Sequence, residues 1–301
     1  MQIMEYHRPV LLTETVDGLN IQPSGIYVDV TFGGGGHSRE IIKRLGDEGR
    51  LIAFDQDKDA LQNTIDDPRF LLINENFRYL KQFLRFHKIK EVDGVLGDFG
   101  VSSHQFNVAE RGFSTRFEAD LDMRMNQNAT FSAYDVINKY SEEKIKNVLF
   151  QYGELRAAAG MARLIVENRQ QSPIVSGEEL KNALGRFLPE HRENKVLAQI
   201  YQAIRIEVNQ ELEALKEFLI QAQEVLKPGG RLSLLSYHSL EDRLVKRFMR
   251  NGLFEGEPEK DVFGRMEVPF KRIGKFAIPT QEEIKQNNRA RSAKLRVAEK
   301  L

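Results

Sequence analysis

The stretch VDVTFGGGGHSRE (28–40) sets four consecutive glycines, Gly33–Gly36, between a β-branched apolar run and a charged helical pattern. Asp55 lies near the end of a second apolar run, RLIAFDQD (50–57), and Asp98 near the end of another, VDGVLGDFG (92–100). A glycine loop at a strand-to-helix junction lets the backbone approach a ligand where a Cβ would stand in the way. Phosphate is the usual occupant, and its chemistry asks for a lysine in G-x-x-x-x-G-K-[ST]. His37, Ser38 and Arg39 follow Gly36, so that lysine is missing. The dinucleotide pattern G-x-G-x-x-G fails as well, because its third glycine falls on Ser38 or Arg39. Asp98-Phe99-Gly100 spells the metal-binding triplet of protein kinases, but no H-R-D-x-x-x-x-N precedes it.

A third kind of glycine loop belongs to S-adenosyl-L-methionine-dependent methyltransferases: an acidic residue, then glycines at alternate positions. Asp29, Thr31, Gly33 and Gly35 have this spacing, with Thr31 in place of the first glycine. That cofactor carries no phosphate, so no lysine is needed. An acid about 20 residues on, at the tip of the next strand, takes the ribose hydroxyls. Asp55 stands 20 positions after Gly35, with a strand-end turn as its plainer reading. EVLKPGGRLSLLS (224–236) adds a helix end, a Pro-Gly-Gly turn and a buried strand in the order this fold requires.

Strands must carry these residues to one edge. GIYVDVTF (25–32), RLIAFDQD, FLLINENF (70–77) and VDGVLGDFG read as buried strands. Helical patterns lie between them at HSREIIKRLG (37–46), DALQNTI and FRYLKQFLRFH. Such alternation implies a doubly wound parallel sheet with its strand C-termini on one edge. After residue 100 the rhythm breaks. Residues 102–130 read as loop, and helical patterns then continue through SGEELKNALGRFL and a run at 195–226 that is helical almost without pause. Ser176 and Glu179 have the spacing of a capping box. The strand pattern resumes at GGRLSLLSYHS (229–239). A strand–helix–strand unit needs about 30 residues, so residues 108–207 read as an inserted helical domain. Residues 1–107 and 208–301 form the catalytic domain in this reading. The expected class is α/β: a class I, Rossmann-like methyltransferase sheet with a helical insert.

Composition narrows the field. Of 301 residues, 41% are apolar and 29% charged, as in soluble globular proteins. The absence of cysteine excludes disulfides and thiolate metal sites and fits a cytoplasmic protein. The six histidines show no H-x-x-x-H spacing, so no metal site is expected. MQIMEYHRPVLL lacks a secretory pattern, and no apolar run suits a membrane span. Formal net charge is zero, yet from Lys271 onward nine Lys/Arg face three Asp/Glu. This tail is either a phosphate-binding element or a solvated surface helix.

HRPVLL (7–12), TFGGGGHS (31–38), DFGVSS (98–103), RGFS (111–114), LDMRM (121–125), QAIRIEVNQEL (202–212), SYHSLEDRLVK (236–246) and RARSAKLR (289–296) occur in order along nearly the whole chain. Together they resemble the bacterial ribosomal small-subunit RNA methyltransferase H family, also called MraW. The resemblance implies N4-methylation of a cytidine in the decoding region of 16S ribosomal RNA. It implies S-adenosyl-L-methionine as donor and S-adenosyl-L-homocysteine as product. The partner would be small-subunit ribosomal RNA, within the 30S subunit or free, with no membrane; a homodimer stays open. Carried over, the cofactor contacts fall on Gly35, Gly36, His37, Asp55, Phe77, Asp98 and Gln105, beside Gly33 from the loop spacing. This chain departs from the family at Phe99 and Tyr237, where leucine and phenylalanine are common, and at Glu118-Ala119-Asp120, where Asp-Gly-Pro is usual.

Cytosine N4 is a poor nucleophile because its lone pair is delocalised into the ring. A carboxylate near it would stabilise the positive charge that develops on transfer. Asp98 is the expected group, with Ser102 or the carbonyls of 98–101. The Asp/Asn/Ser-Pro-Pro-aromatic tetrapeptide of DNA amino-methyltransferases does not occur at Asp98, which disfavours a DNA substrate of that type. Phe99, Phe113 and Tyr237 are candidates to stack on an extruded base, or else core. His238 would contact RNA, accept a proton late, or bond a neighbouring loop. Arg111 and Arg124 would read phosphates or pair with Glu110 or Asp122. Arg243, Lys246, Arg247 and Arg250, with Arg289 and Arg291, would form an RNA track. Two other readings stand beside this one: a methyltransferase for a small molecule or protein, and a non-catalytic RNA-binding assembly factor.

Overall fold

Strand and helix alternate through the first hundred residues of the computed structural model, which describes residues 9–259, 262–264 and 266–301. His7 and Arg8 of the HRPVLL motif, and the stretch before them read for a targeting signal, lie outside the described residues. The order is α1 (Leu12–Asp17), β1 (Ile26–Asp29), α2 (Gly36–Arg44), β2 (Arg50–Phe54), β3 (Phe70–Ile73), α3 (Leu80–Phe86) and β4 (Val92–Asp98). Between β2 and β3 a 3-10 turn over Lys58–Asn63 stands where the sequence suggested a helix. Strand periodicity assigns the faces. Tyr27, Leu51 and Leu96 pack with Val16 and Ile41 on one side. Their neighbours Val28, Ile52 and Val95 pack with Leu80 and Leu84 on the other.

The chain divides into two compact units, Met1–Gly100 with Leu212–Leu301, and Val101–Glu211. Sequence rhythm set the insert at 108–207, a few residues inside these limits. The second unit holds α4 (Ser103–Asn107), α5 (Ala133–Lys139), α6 (Glu142–Gln151), α7 (Ala158–Arg169), α8 (Gly177–Ala183) and α9 (Glu193–Asn209). Its core gathers Met123, Ile137, Leu149, Ile165, Leu180 and Ile200. Ser176 and Glu179 form the capping box at the start of α8. The short α4 falls inside the stretch read as loop, because Ser102 and Gln105 form another such box. The run at 195–226 is not one helix. Gln210 adopts φ +50° and ends α9, and α10 (Glu211–Val225) starts beyond it.

After α10 come β5 (Leu226–Ser236), α11 (Ser239–Asn251), β6 (Phe270–Arg272), α12 (Gln281–Gln286) and β7 (Lys294–Lys300). The sheet has seven strands in the order β3-β2-β1-β4-β5-β7-β6. It departs from the ordinary doubly wound order by placing β7, antiparallel to both neighbours, between β5 and β6. The basic tail is therefore not a surface helix along its length: KLRVAEK is an inner strand. Arg296 Nε donates to Asp242 Oδ1 at 2.7 Å, and Lys294 Nζ donates to Oδ2 at 3.2 Å. These two positive charges are spent on pinning β7 to α11. Removing Arg296 leaves Asp242 with the partly exposed Lys294 as its remaining cation. Arg296→Ala is accordingly expected to lower stability by about 2 kcal/mol, read as a lower urea midpoint.

Candidate active site

The strand order reverses between β1 and β4, the switch point where doubly wound sheets open a crevice beyond the strand C-termini. Three acids stand at that edge. Asp29, fully buried, accepts from the Thr31 N–H at 3.1 Å and from Ser38 Oγ at 2.7 Å. Burial pushes its carboxyl up to about 6 against those hydrogen bonds. It shapes the turn rather than facing a ligand. Thr31 Oγ1 accepts the N–H of Asp98 at 2.6 Å, so the glycine loop is tied to the end of β4.

Asp55 closes the loop from the other side. Its Oδ2 accepts the Gly33 N–H at 2.7 Å, and its Oδ1 accepts the Asp57 N–H at 2.8 Å. Burial raises this carboxyl to about 6, with the two N–H groups opposing. Gly33 has φ +51°, and a Cβ there would meet nothing within 4 Å, so the loop presents bare backbone to open space. Gly36 is tight instead: a Cβ would lie 2.1 Å from Pro9 Cγ. Gly35 N-caps α2, leaving the first helical N–H groups without intrahelical partners, a setting that favours a carboxylate.

Asp98 is the centre of the edge. Tyr237 Oη donates to its Oδ1 at 2.7 Å, and His37 Nδ1 stands 3.8 Å from its Oδ2. Burial drives the Asp98 carboxyl up to about 7; the Tyr237 hydroxyl lowers it, and the charges of Asp29 and Glu241 raise it. Tyr237 is held well above its ordinary value by burial and by Asp98, so it stays a neutral donor. Burial holds His37 down to about 4, the Val10 backbone pulling the other way, so the imidazole is neutral near pH 7. Because the tyrosine hydroxyl stabilises the carboxylate, Tyr237→Phe is expected to shift the pH–activity midpoint upward by about one pH unit. A pH–rate profile reads this directly, and an unmoved midpoint would refute it.

Phe77 begins the turn after β3 and is half-buried, 5.7 Å from Phe99 and 5.5 Å from Phe218 between ring centroids. Phe99, 5% exposed, belongs to this aromatic core rather than to a stacking surface. His238 N-caps α11, its Nδ1 accepting the Glu241 N–H at 3.4 Å, a bond within its own helix start rather than to a neighbouring loop. Arg243, Lys246 and Arg250 are exposed on α11, and Arg250 reaches Glu257 at 3.4 Å. Arg247 donates to the Gly256 carbonyl at 2.7 Å. Arg289 is half-buried, and Arg291 is exposed.

The helical unit holds the remaining candidates. Ser102 Oγ accepts the Gln105 N–H at 3.2 Å, and Gln105 Oε1 accepts the Ser102 N–H at 3.1 Å. Phe113 is 4% exposed and sits in that unit's core. Arg111, 7% exposed, donates to the Arg124 and Met125 carbonyls at 2.9 and 3.1 Å. Arg124 takes the pairing with Asp122, at 2.6 Å, and donates to the Ala129 carbonyl at the same distance.

One residue beside Asp98 escaped the sequence reading. Glu241 is 2% exposed, and its Oε2 accepts the N–H groups of Tyr237 and His238 at 2.9 and 3.4 Å. This fixes the turn that aims Tyr237 at Asp98. The spacing His-x-x-Glu just before an amphipathic helix is a capping-box signal that could have found it.

Comparison with known proteins agrees over the whole chain. A family model described as the MraW methylase family matches residues 4–301. A protein of Christiangramia forsetii, named ribosomal RNA small subunit methyltransferase H, is 69% identical over 301 residues, 100% of both chains. The protein of that name from Flavobacterium johnsoniae is 66% identical over 298 residues, 99% of each chain. That from Bacteroides fragilis is 54% identical over 296 residues, covering 98% of this chain and 97% of its own.

Proposed function

This chain belongs to the MraW methylase family, and from that premise we infer that it methylates the N4 amino group of a cytidine in the decoding region of small-subunit ribosomal RNA. The observation that carries the reading is Asp98: a carboxylate at the switch point, beside the glycine loop, with the Tyr237 hydroxyl on one oxygen. S-adenosyl-L-methionine supplies an already activated methyl group and leaves as S-adenosyl-L-homocysteine. The residues present suit it. Gly33 offers backbone that no Cβ obstructs, and Gly35, Gly36 and His37 open α2 toward a carboxylate. Asp55 has a carboxylate for the ribose hydroxyls, and the half-buried Phe77 ring suits an adenine. Gln105 completes the set by family resemblance.

Within this reading, Asp98 accepts an N–H of the acceptor amine. That bond draws the nitrogen lone pair out of conjugation and offsets the positive charge that grows on nitrogen. The same carboxylate takes the proton once the methyl group has moved. No strong base is needed earlier, since the methylated ammonium is far more acidic than the amine. The phosphate track is assigned to the exposed Arg243, Lys246 and Arg250 of α11, with Arg291. The substrate proposed is the RNA within the 30S subunit rather than free RNA, and the site of action proposed is the cytoplasm. No helix among the described residues is long and apolar enough to cross a membrane.

Radiolabelled methyl transfer tests the acceptor. The chain, labelled donor and small subunits from cells lacking the protein should place label in 16S ribosomal RNA. Label in a protein or small-molecule fraction instead would favour the alternative methyltransferase reading. Binding to RNA should also weaken steeply with salt.

A further inference from the structure

Resting on the donor site just proposed, we propose that Glu283 is a positioning residue: it latches residues 9–11 over the start of α2 and so makes the N-terminal segment a wall of that site. The HRPVLL motif has no part in the chemistry described above, yet two of its described residues lie against the start of α2 and a third packs on β5 and the C-terminal tail. Pro9 stands so close to Gly36 that a Cβ there would fall 2.1 Å from Pro9 Cγ. The Val10 backbone acts on the His37 imidazole, which faces Asp98. Leu11, 3% exposed, packs with Leu235, Ala290, Ala293 and Leu295.

Something must hold this segment, because Leu11 adopts φ +49°, ψ +40°. That left-handed conformation is unfavourable for a residue with a branched side chain. Its N–H donates to Glu283 Oε1 at 2.7 Å across 272 positions of chain. Glu283 is fixed in turn, because its own N–H donates to Thr280 Oγ1 at 3.2 Å at the start of α12. It also lies near enough to Tyr237 for its charge to act on that hydroxyl. The C-terminal tail thus acts through one carboxylate on both the N-terminal segment and the Tyr237 hydroxyl. A charge-assisted bond to a backbone N–H is among the stronger hydrogen bonds, and a carboxamide at this position keeps the acceptor oxygen while removing the charge.

The test uses the full chain, with S-adenosyl-L-homocysteine as probe in calorimetry and hydrogen exchange read at the Leu11 amide. Glu283→Ala is expected to raise the Kd about tenfold, and Glu283→Gln to restore it to within about threefold. At saturating donor, the kcat of Glu283→Ala should fall less than its kcat/KM. In the unaltered protein the Leu11 amide should be protected, and more so with the probe bound. A Glu283→Ala protein that binds the probe with unchanged Kd overturns the latch. So does an unprotected Leu11 amide in the unaltered protein, which needs no variant to fold. If the unaltered protein fails to bind the probe, the donor assignment falls and the latch with it; the other two results overturn the latch alone.

Discussion

Asp98→Asn is expected to lower the rate of methyl transfer at least a hundredfold, on the scale of losing a transition-state electrostatic contact, while donor affinity changes only a few-fold. Asparagine keeps the oxygen that accepts from Tyr237 Oη, so the local geometry has reason to survive. It loses the charge that offsets the developing ammonium and the site that takes its proton. The wild-type rate should rise with pH through about 7, as the carboxyl ionises. The variant's profile should be flat there. Stability should move the opposite way. The folded-state value lies above that of an unfolded aspartate, so folding favours the protonated form. The stability this contributes is full below the unfolded value of about 4 and is lost as pH rises through about 7. At pH 8 the wild type carries an ionised, half-buried carboxylate that the variant lacks. The variant is therefore expected to melt a few degrees higher without ligand. A slow enzyme that is also less stable at pH 8 would point to a damaged fold and defeat the argument.

Asp55→Ala is expected to weaken donor binding about a hundredfold, the scale of losing a charge-assisted hydrogen bond together with the shape of the loop. Two N–H groups, of Gly33 and Asp57, lose their acceptor at once. Gly33 is the residue whose backbone faces open space, so its displacement moves the surface the donor would meet. Asp55→Asn keeps one acceptor oxygen and should fall between the two. Calorimetry with S-adenosyl-L-homocysteine reads all three proteins. Unchanged affinity in Asp55→Ala would remove Asp55 from the donor site.

Much of the sheet could be read in advance because its signals are local. Four apolar runs, each closed by polar or turn residues, carry their own face assignment, as at Tyr27 and Val28 or Leu51 and Ile52. The glycine run and Asp55 could be read from spacing, since 20 positions of strand and helix bring them to one edge. What failed depends in part on distant partners and in part on choices between local alternatives. KLRVAEK looks like a basic tail until Asp242, 54 positions before Arg296, neutralises it inside the sheet. Gln210 gives no sequence warning that it will turn left-handed between two helices. Arg111 and Arg124 look available for phosphate, yet a carbonyl pair and Asp122 engage them. Phe99 and Phe113 meet the criteria for stacking and for core alike, and only burial separates the two. The Thr31 contact with Asp98 was hidden for another reason: a threonine in a glycine position reads as a departure, whereas its hydroxyl ties the loop to β4.

The most direct measurement is the methylation state of 16S ribosomal RNA from cells lacking this protein, mapped nucleotide by nucleotide by mass spectrometry. Loss of one N4-methyl group on a decoding-region cytidine, restored by the wild-type chain and not by Asp98→Asn, is the predicted result. An unchanged set of modified cytidines, or restoration by Asp98→Asn at the wild-type level, would contradict it.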